Sequence, residues 1–448
     1  MNKLTLIILG IILVLHVFIL TKLIFFPYPE QFIYPYLVNS GLKPYSQILD
    51  QHFPGLMLLP INFNNLGMTT PDIARIWLIS VVLLTQLLLF FVSGKILQDD
   101  KKALLVNILY LIWQPFFEGW VLWVDSFLPL MLLPAAYFLH KQKYGLLGLL
   151  LGLVIIFKQV MIPLGAIIAL YIFWENKKLT NVKNYLLGLS VPLSLMVIYL
   201  ISIEVFKDFL FWTITFNLTT YAQLGRGAGP TLAHLFRAVL VFGTPFIILL
   251  KIKERTSQIL LIFLIGSLMG LFTRFDFVHF QPALPFALIG TVMGFSVIFK
   301  NLGGKVLILL YILVLVWWLN IFYQGHISNQ VLFFDKNTYE VAEKIMQYTD
   351  PGDKIFILGS PLHLYQMTQT LPAGDIFVFQ FPWFLQVTQS QILDGIKEDQ
   401  PEITVVDRSV EIEDKRLTDF ASEINKYLQE NYIKIDMVGT AEILKRKI

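Results

Sequence analysis

The chain has 448 residues, of which 56% are hydrophobic and only 15% are charged, and its net charge is +3. Soluble domains carry about a quarter charged residues, so this composition predicts an integral membrane protein. The small net charge gives no indication of a nucleic-acid partner, because the basic residues lie in short clusters between apolar runs. The chain has no cysteine, which excludes disulfides and thiolate metal sites.

Apolar stretches of helical length recur along the first three quarters of the chain. A helix needs about 20 apolar residues to cross a bilayer core of about 30 Å. The sequence offers eleven candidate spans, at 4–25, 73–97, 103–117, 126–140, 144–157, 160–174, 184–203, 232–250, 257–273, 281–299 and 305–323. Several are too short to cross alone. We therefore expect broken or tilted helices near Gln114–Asp125 and Phe157–Pro163, where irregular backbone would line a cavity.

Basic residues alternate between two sets of connecting loops. One set carries Lys3, Lys95, Lys101, Lys102, Lys141, Lys143, Lys177, Lys178, Lys183, Lys251, Lys253, Arg255, Lys300 and Lys305. The opposite set carries only scattered cations, such as Lys43, Lys207, Arg226 and Arg274. The positive-inside rule therefore puts the N-terminus on the cytoplasmic side of the membrane. We expect this membrane to be a bacterial-type plasma membrane. The loop at 26–71 and everything after about residue 324 then lie outside the cytoplasm.

Two engineered cysteines test this sidedness. Because the chain has no cysteine of its own, Ser46→Cys and Thr180→Cys can each be labelled singly with a membrane-impermeant maleimide. We expect Ser46→Cys to react on intact cells and Thr180→Cys to react only after the membrane is opened. Labelling of both from the same side would contradict the predicted topology.

The composition changes from about Val331, where charges become frequent. The segments 354–360, 375–381, 402–407 and 432–439 have the pattern of strands, and the segments between them have helical spacing. This alternation predicts a small extracytoplasmic α/β domain with a mostly parallel sheet at 326–448, after a transmembrane domain at 1–325. The first strand is not followed by a glycine-rich phosphate loop, so we predict no nucleotide site there.

Two carboxylates stand out in the outer loop at 26–71. Glu30 and Asp50 lie among prolines and tyrosines, and His52 follows Asp50 closely. A carboxylate that is partly desolvated has a raised proton affinity, which suits a general base for a hydroxyl. The aromatic residues of the loop (Tyr28, Phe32, Tyr34, Tyr36 and Tyr45) would form an amphipathic belt at the interface, which favours this role. The alternative is that both carboxylates are simply solvated in the loop. His52 would orient Asp50, bind a phosphate or make an ordinary hydrogen bond.

Other polar residues gather at the predicted outer ends of the helices. Lys158, Arg226 and His279 would supply cations for a lipid-linked phosphate, and further site candidates are Glu118, Asp125, Gln159 and Gln281. For each the alternative is structural: snorkelling of Lys158, hydration of Glu118 and Asp125 in a short turn, or solvation of Arg226 in its glycine-rich loop. The seven histidines include no pair with zinc-ligand spacing, so we predict no zinc site, although carboxylates would suit a divalent cation.

Four segments, in this order, resemble the polytopic glycosyltransferases of the GT-C superfamily, which includes aminoarabinose transferases and protein O-mannosyltransferases. They are PEQFIYPYLVNSGLKPYSQILDQHFPG in the outer loop, the turn EGWVLWVD, the run GLLLGLVIIFKQ and the late turn HFQPALP. The resemblance covers roughly residues 1–300. Relatives often carry Asp-Glu where this chain has Pro29-Glu30, which leaves the base assignment open between Glu30 and Asp50.

The resemblance implies a membrane glycosyltransferase with a GT-C-like arrangement of about eleven helices. Its donor would be a sugar on a polyprenyl phosphate, and its acceptor would be a hydroxyl of a glycan, lipid or protein outside the cytoplasm. Transfer would invert the anomeric carbon. The loop carboxylate would take the hydroxyl proton, and Lys158, Arg226 or His279 would offset the charge of the departing phosphate.

Two other classes of function remain as alternatives. A transporter or flippase for lipid-linked glycans would favour charged residues at mid-membrane and an inverted repeat, and neither is present in the sequence. A glycan polymerase or ligase would favour a large outer loop rich in Arg and His, whereas the 204–231 loop has one arginine and no histidine.

Overall fold

The computed structural model describes residues 3–225, 229–299, 302–412 and 414–447. The contacts between residues divide the chain into two compact units. The first unit is formed by Met1–Phe26, Ala74–Met196 and Ala228–Gln330, and the second by Pro27–Ile73, Val197–Gly227 and Val331–Ile448. The outer loop therefore shares a unit with the C-terminal segment. The division into domains at 1–325 and 326–448 stays a prediction.

Each of the eleven predicted spans contains a helix. These helices are Lys3–Lys22, Pro71–Leu97, Asp100–Gln114, Val124–His140, Tyr144–Phe157, Ile162–Asn176, Leu179–Ser202, Leu232–Phe242, Arg255–Ser267, Leu284–Ile298 and Leu302–His326. In the described part of the chain, six helical segments are long and apolar enough to cross a membrane, or seven when the bent pair Leu232–Phe242 and Thr244–Lys251 counts as one. The chain is an integral membrane protein, and the count of eleven crossings stays a prediction.

Two helices break near the positions that the sequence predicts. The helix Asp100–Gln114 continues as an irregular π-helical segment, Pro115–Gly119, in which Glu118 has a left-handed backbone with φ 54°. A Cβ atom on Gly119 would lie 2.2 Å from the carbonyl oxygen of Gln114, so only glycine fits there. The second break follows Phe157, where the extended backbone of Lys158 leads into the short 3-10 helix Gln159–Met161.

Buried side-chain amides satisfy the backbone groups that the first break exposes. The Gln281 amide donates to the carbonyl oxygens of Gln114 and Phe117, at 3.0 and 2.6 Å. The Gln114 side chain contacts His16 Nε2 at 3.0 Å, and the Gln86 amide contacts His16 Nδ1 at 3.1 Å. Since the Gln86 nitrogen can only donate, Nδ1 of His16 accepts and Nε2 donates to Gln114. Such compensation is what permits irregular backbone at membrane depth.

Glycines of the run GLLLGLVIIFKQ pack against the helix Leu179–Ser202. A Cβ atom on Gly148 would lie 2.0 Å from the Tyr185 carbonyl oxygen, and one on Gly152 would lie 2.4 Å from the Pro192 ring. Small residues allow the backbones of two membrane helices to approach this closely. These glycines therefore serve helix packing, and the residues of the run that could carry chemistry are Lys158 and Gln159 at its end.

The C-terminal part of the second unit contains a five-stranded sheet. Its strands are, in spatial order, Tyr432–Val438, Ala441–Arg446, Ile403–Val406, Lys354–Leu358 and Leu371–Pro372. Lys354–Leu358 pairs in parallel with both of its neighbours, whereas the first three strands pair antiparallel. The sheet is therefore mixed rather than mostly parallel, because the sequence prediction lacked the hairpin that ends the chain. Helices Lys336–Ile345, Pro382–Asp399 and Ser422–Asn431 accompany it.

One predicted strand of this segment pairs with the outer loop instead. Phe377–Val378 runs parallel to Ile48–Leu49, directly before Asp50. The same unit also contains the helices Glu30–Asn39 and Phe206–Leu210 and the π-helix Phe211–Tyr221. Shorter elements are the helices Ala222–Leu224, Leu364–Thr368, Ala373–Asp375 and Leu417–Phe420 and the strands Glu411–Ile412 and Lys415–Arg416. The backbone just before Asp50 is thus held by strand pairing with residues more than 300 positions later in the chain.

Candidate active site

Three predicted site residues of the first unit form one cluster. Lys158 Nζ donates to Asp125 Oδ1 and lies 2.9 Å from His279 Nδ1. His279 Nδ1 also lies 3.1 Å from Asp125 Oδ2. The Asp125 side chain is fully buried, and only 9% of the Lys158 side chain is exposed. Within the cluster the Lys158 ammonium group is therefore paired with the Asp125 carboxylate.

Each member of this cluster sits at the end of a helix or in a short turn. Asp125 is in the first turn of Val124–His140, Lys158 occupies the break after Phe157, and His279 lies in the 3-10 helix Phe277–Phe280. Gly270 adjoins the cluster, since a Cβ atom there would be 3.4 Å from Lys158 Nζ. The helix breaks therefore bring together side chains that are far apart in sequence.

The structure does not support the alternative that Lys158 only snorkels to the membrane interface. A snorkelling lysine keeps its ammonium group in water, whereas Lys158 is buried against a carboxylate and an imidazole. Gln159 follows it in the 3-10 helix Gln159–Met161. Arg226, the third predicted phosphate ligand, lies outside the described residues. The Gln281 side-chain amide stabilises the first helix break by donating to the Gln114 carbonyl oxygen.

A second cation of this unit, Arg237, did not emerge from the sequence. Its guanidinium lies over the rings of Phe116 and Phe277, at 3.8 and 3.9 Å from their centroids. Its buried Nε has no hydrogen-bond partner among the described residues. Glu118 interacts with it electrostatically and accepts a hydrogen bond from the Val278 amide at 2.9 Å. A charged residue inside an apolar helix is the signal that could have revealed Arg237.

In the second unit, the outer loop holds Asp50 in a fixed orientation. The Tyr34 hydroxyl donates to Asp50 Oδ2 at 2.6 Å. Asp50 Oδ1 accepts from the His52 backbone amide at 2.7 Å and contacts His52 Nδ1 at 3.0 Å. Only 3% of the Asp50 side chain is exposed. His52 therefore orients Asp50, which is one of the two roles that the sequence suggested.

Glu30 lies in the same unit, at the start of the helix Glu30–Asn39. Its Oε2 atom is buried and accepts no hydrogen bond from the described residues. Burial raises the pKa of Glu30 to about 7, and the charge of Asp50 also raises it, against the lowering effects of a backbone hydrogen bond and of His52. Glu30 thus differs from Asp50 in having an oxygen free to take a proton.

The tyrosines nearest these carboxylates are not interfacial. Tyr34 and Tyr45 are 1% and 0% exposed, and their hydroxyls bond to Asp50 and to the His52 carbonyl oxygen respectively. Burial and the Asp50 charge raise the pKa of both hydroxyls, so they remain protonated donors. The expectation of an exposed aromatic belt is wrong for these two residues, because composition cannot distinguish a tyrosine that coats an interface from one that anchors a carboxylate.

Among the described residues, no three His, Asp or Glu side chains are grouped so that they could hold a metal ion. The divalent cation considered from the sequence therefore stays a prediction.

The helices define a polytopic membrane protein, and its overall fold is that of a solved structure. The structure resembles the crystal structure of ArnT from Cupriavidus metallidurans bound to undecaprenyl phosphate, with a TM-score of 0.62 and 12% sequence identity. The match covers 98% of this chain and 97% of ArnT. At this identity the likeness shows the fold alone. No protein-family model matches the chain, and no curated protein matches it.

Proposed function

We propose that the protein is a membrane glycosyltransferase that moves a sugar from a polyprenyl-phosphate donor to an acceptor hydroxyl outside the cytoplasm. The observation that carries the proposal is that nearly the whole chain has the fold of a protein that was crystallised with undecaprenyl phosphate. The two groups of polar residues described above supply the chemistry that such a transfer requires: a proton acceptor and cations for a phosphate.

Glu30 is proposed as the general base. A base works best when its pKa is near the working pH, and burial raises the pKa of Glu30 to about 7. Its Oε2 atom would accept the proton of the acceptor hydroxyl. The oxygen of that hydroxyl attacks the anomeric carbon, and the bond from this carbon to the phosphate oxygen breaks. Polyprenyl phosphate leaves with the electron pair, and the anomeric configuration inverts.

Asp50 is proposed to support Glu30 rather than to replace it. Both Asp50 oxygens already accept hydrogen bonds, from Tyr34 and from His52, so the carboxylate acts as a fixed negative charge. That charge raises the proton affinity of Glu30. Glu30 is favoured over Asp50 as the base because, of these two carboxylates, Glu30 alone has a buried oxygen without a hydrogen-bond partner among the described residues.

Lys158 and His279 are proposed to contact the donor phosphate, together with Arg226. Cations placed where negative charge develops lower the barrier to departure of the leaving group. In the described structure Asp125 holds the Lys158 ammonium, and His279 contacts both. Asp125 would therefore position Lys158, and a bound phosphate would compete with Asp125 for the lysine.

A donor panel tests the proposed function. Purified protein in detergent is given radiolabelled hexoses and pentoses linked to undecaprenyl phosphate, and free sugar and new glycosides are counted. We expect transfer or slow hydrolysis with at least one lipid-linked donor and none with nucleotide sugars. If nucleotide sugars alone were used, the donor class would be wrong. If the labelled lipid were only moved across proteoliposome membranes, the chain would be a flippase.

A further inference from the structure

An unusual helix lies beside the outer loop in the second unit. The short helix Phe206–Leu210 runs directly into the π-helix Phe211–Tyr221, which has 11 residues. Most π-helical segments are single turns inside α-helices, and they occur often at functional sites. Asn217 lies near the middle of this π-helix, and none of the roles proposed so far uses it.

Asn217 contacts the backbone that holds Asp50. Its side-chain amide donates to the Gln51 carbonyl oxygen at 2.9 Å and to the Thr213 carbonyl oxygen at 3.0 Å. The Gln51 carbonyl and the His52 N–H belong to one peptide unit. That N–H donates to Asp50 Oδ1 at 2.7 Å. Because a peptide unit is planar, fixing its carbonyl end also fixes its amide end. Asn217 therefore determines the direction of a hydrogen bond to Asp50.

The preceding helix supports the same stretch of loop through Phe209. The Phe209 ring packs against Tyr45 and Phe53, with centroids 5.2 and 5.0 Å apart. The Tyr45 hydroxyl in turn donates to the His52 carbonyl oxygen at 2.9 Å. The carbonyl groups of both residues after Asp50 are thus held by side chains, one from the π-helix and one packed against Phe209.

These contacts also bear on the triplet Asn217-Leu218-Thr219, which has the pattern of a glycan acceptor. The Asn217 side chain is half-buried and its nitrogen donates to two carbonyl oxygens. A glycan attached to this nitrogen would replace one of its two hydrogens, so at least one of these bonds would be lost. The contacts of Asn217 accordingly point to a role inside the protein.

We propose that Asn217 is a positioning residue for sugar transfer, which fixes the Gln51–His52 peptide plane and thereby the Asp50 carboxylate that acts on Glu30. The inference rests on the proposed function, because it assigns Asn217 to the carboxylate pair of that reaction. It adds a residue more than 160 positions away from Asp50 that no sequence motif connected to the loop.

Two substitutions of Asn217 test the proposal. Asn217→Leu removes the donor with little change in size, and Asn217→Asp keeps the shape but replaces the donor with an acceptor that faces the Gln51 carbonyl. We expect kcat to fall about 100-fold in both, which is the scale of loss from a small misplacement of reacting groups. The KM for the lipid-linked donor should stay within about twofold, because the groups proposed to hold its phosphate are unchanged.

Thr219→Val is the matched control. Thr219 is an exposed residue of the same π-helix, and its hydroxyl donates to the Thr215 carbonyl oxygen. This variant also destroys the glycan triplet, so it separates loss of the triplet from loss of the Asn217 donor. We expect wild-type kcat and KM.

The pH dependence of kcat gives a second readout. It would not change if Asn217 only stabilised the fold. The charges acting on Glu30 are those of Asp50, which raises its pKa, and of His52, which lowers it to a smaller extent. When the peptide plane turns and Asp50 moves, the acid limb of kcat should shift to lower pH in both Asn217 variants. The control should keep the wild-type limb.

Kinetic constants are measured per molecule of monodisperse, folded protein, so a lower yield does not mimic the effect. If both Asn217 variants match Thr219→Val in kcat and in pH profile, the positioning role is overturned. Failure of the proposed function would be seen separately, as no transfer from any lipid-linked donor by the unaltered protein. Failure of the general-base assignment would be seen as undiminished transfer by Glu30→Gln.

Discussion

Replacement of Glu30 by glutamine should abolish sugar transfer. The amide keeps the size of the side chain but cannot take the proton of the acceptor hydroxyl, and loss of general base catalysis costs about 10²- to 10⁴-fold in rate. Because the wild-type pKa of Glu30 is raised to about 7, activity of the unaltered protein should rise with pH through that region as the carboxylate ionises. Transfer from the lipid-linked donor, measured against pH, checks both statements.

Asp50→Asn is the informative comparison for this result. Removing the Asp50 charge removes one of the causes that raise the Glu30 pKa, so the acid limb should move to lower pH while measurable transfer remains. The opposite pattern, with complete loss in Asp50→Asn and substantial activity in Glu30→Gln, would make Asp50 the base. Wild-type rates in both single variants and in the double variant would show that neither carboxylate takes part.

Replacement of Lys158 by methionine should destabilise the protein as well as inactivate it. The change leaves Asp125 fully buried with only His279 as its partner from this cluster. Breaking one side of a buried ion pair costs about 3–5 kcal/mol, because the remaining charge is uncompensated. The thermal midpoint of purified protein in detergent, followed by tryptophan fluorescence, should therefore fall markedly.

A second substitution separates stability from chemistry at this cluster. Lys158→Met combined with Asp125→Leu removes both charges, so we expect the thermal midpoint to recover most of the loss while transfer stays absent. Lys207→Met, at an exposed lysine, should change neither property. If the double variant recovered transfer along with stability, Lys158 would have no part in binding the donor phosphate.

The helices and their breaks could be predicted because each depends on local sequence. Runs of apolar residues of sufficient length specify membrane helices, and Pro115 with Gly119 marks the first break. The partners of single polar residues could not be predicted in this way. The sequence drew attention to Lys158 and Asp125 separately, but their pairing depends on how two helix ends pack in three dimensions.

The outer loop shows the same limit more sharply. Both carboxylates were recognisable from sequence. The difference between them depends on hydrogen bonds from Tyr34 and His52 to Asp50, whereas Glu30 Oε2 accepts none from the part of the chain that the structure describes. Arg237 and Asn217 were not predicted as site residues, because their significance lies in contacts with distant residues. Long-range pairing, such as that of Ile48–Leu49 with Phe377–Val378, has no local sequence signal.

The ion pair between Lys158 and Asp125 has a consequence for turnover. A lysine that already has a carboxylate partner attracts an arriving anion less strongly than an unpaired lysine would. The same partner is available to reclaim the ammonium group when the reaction is over. In the proposed reaction, Asp125 would thus limit product inhibition. The polyprenyl phosphate product could leave without creating an unpaired buried charge on Lys158.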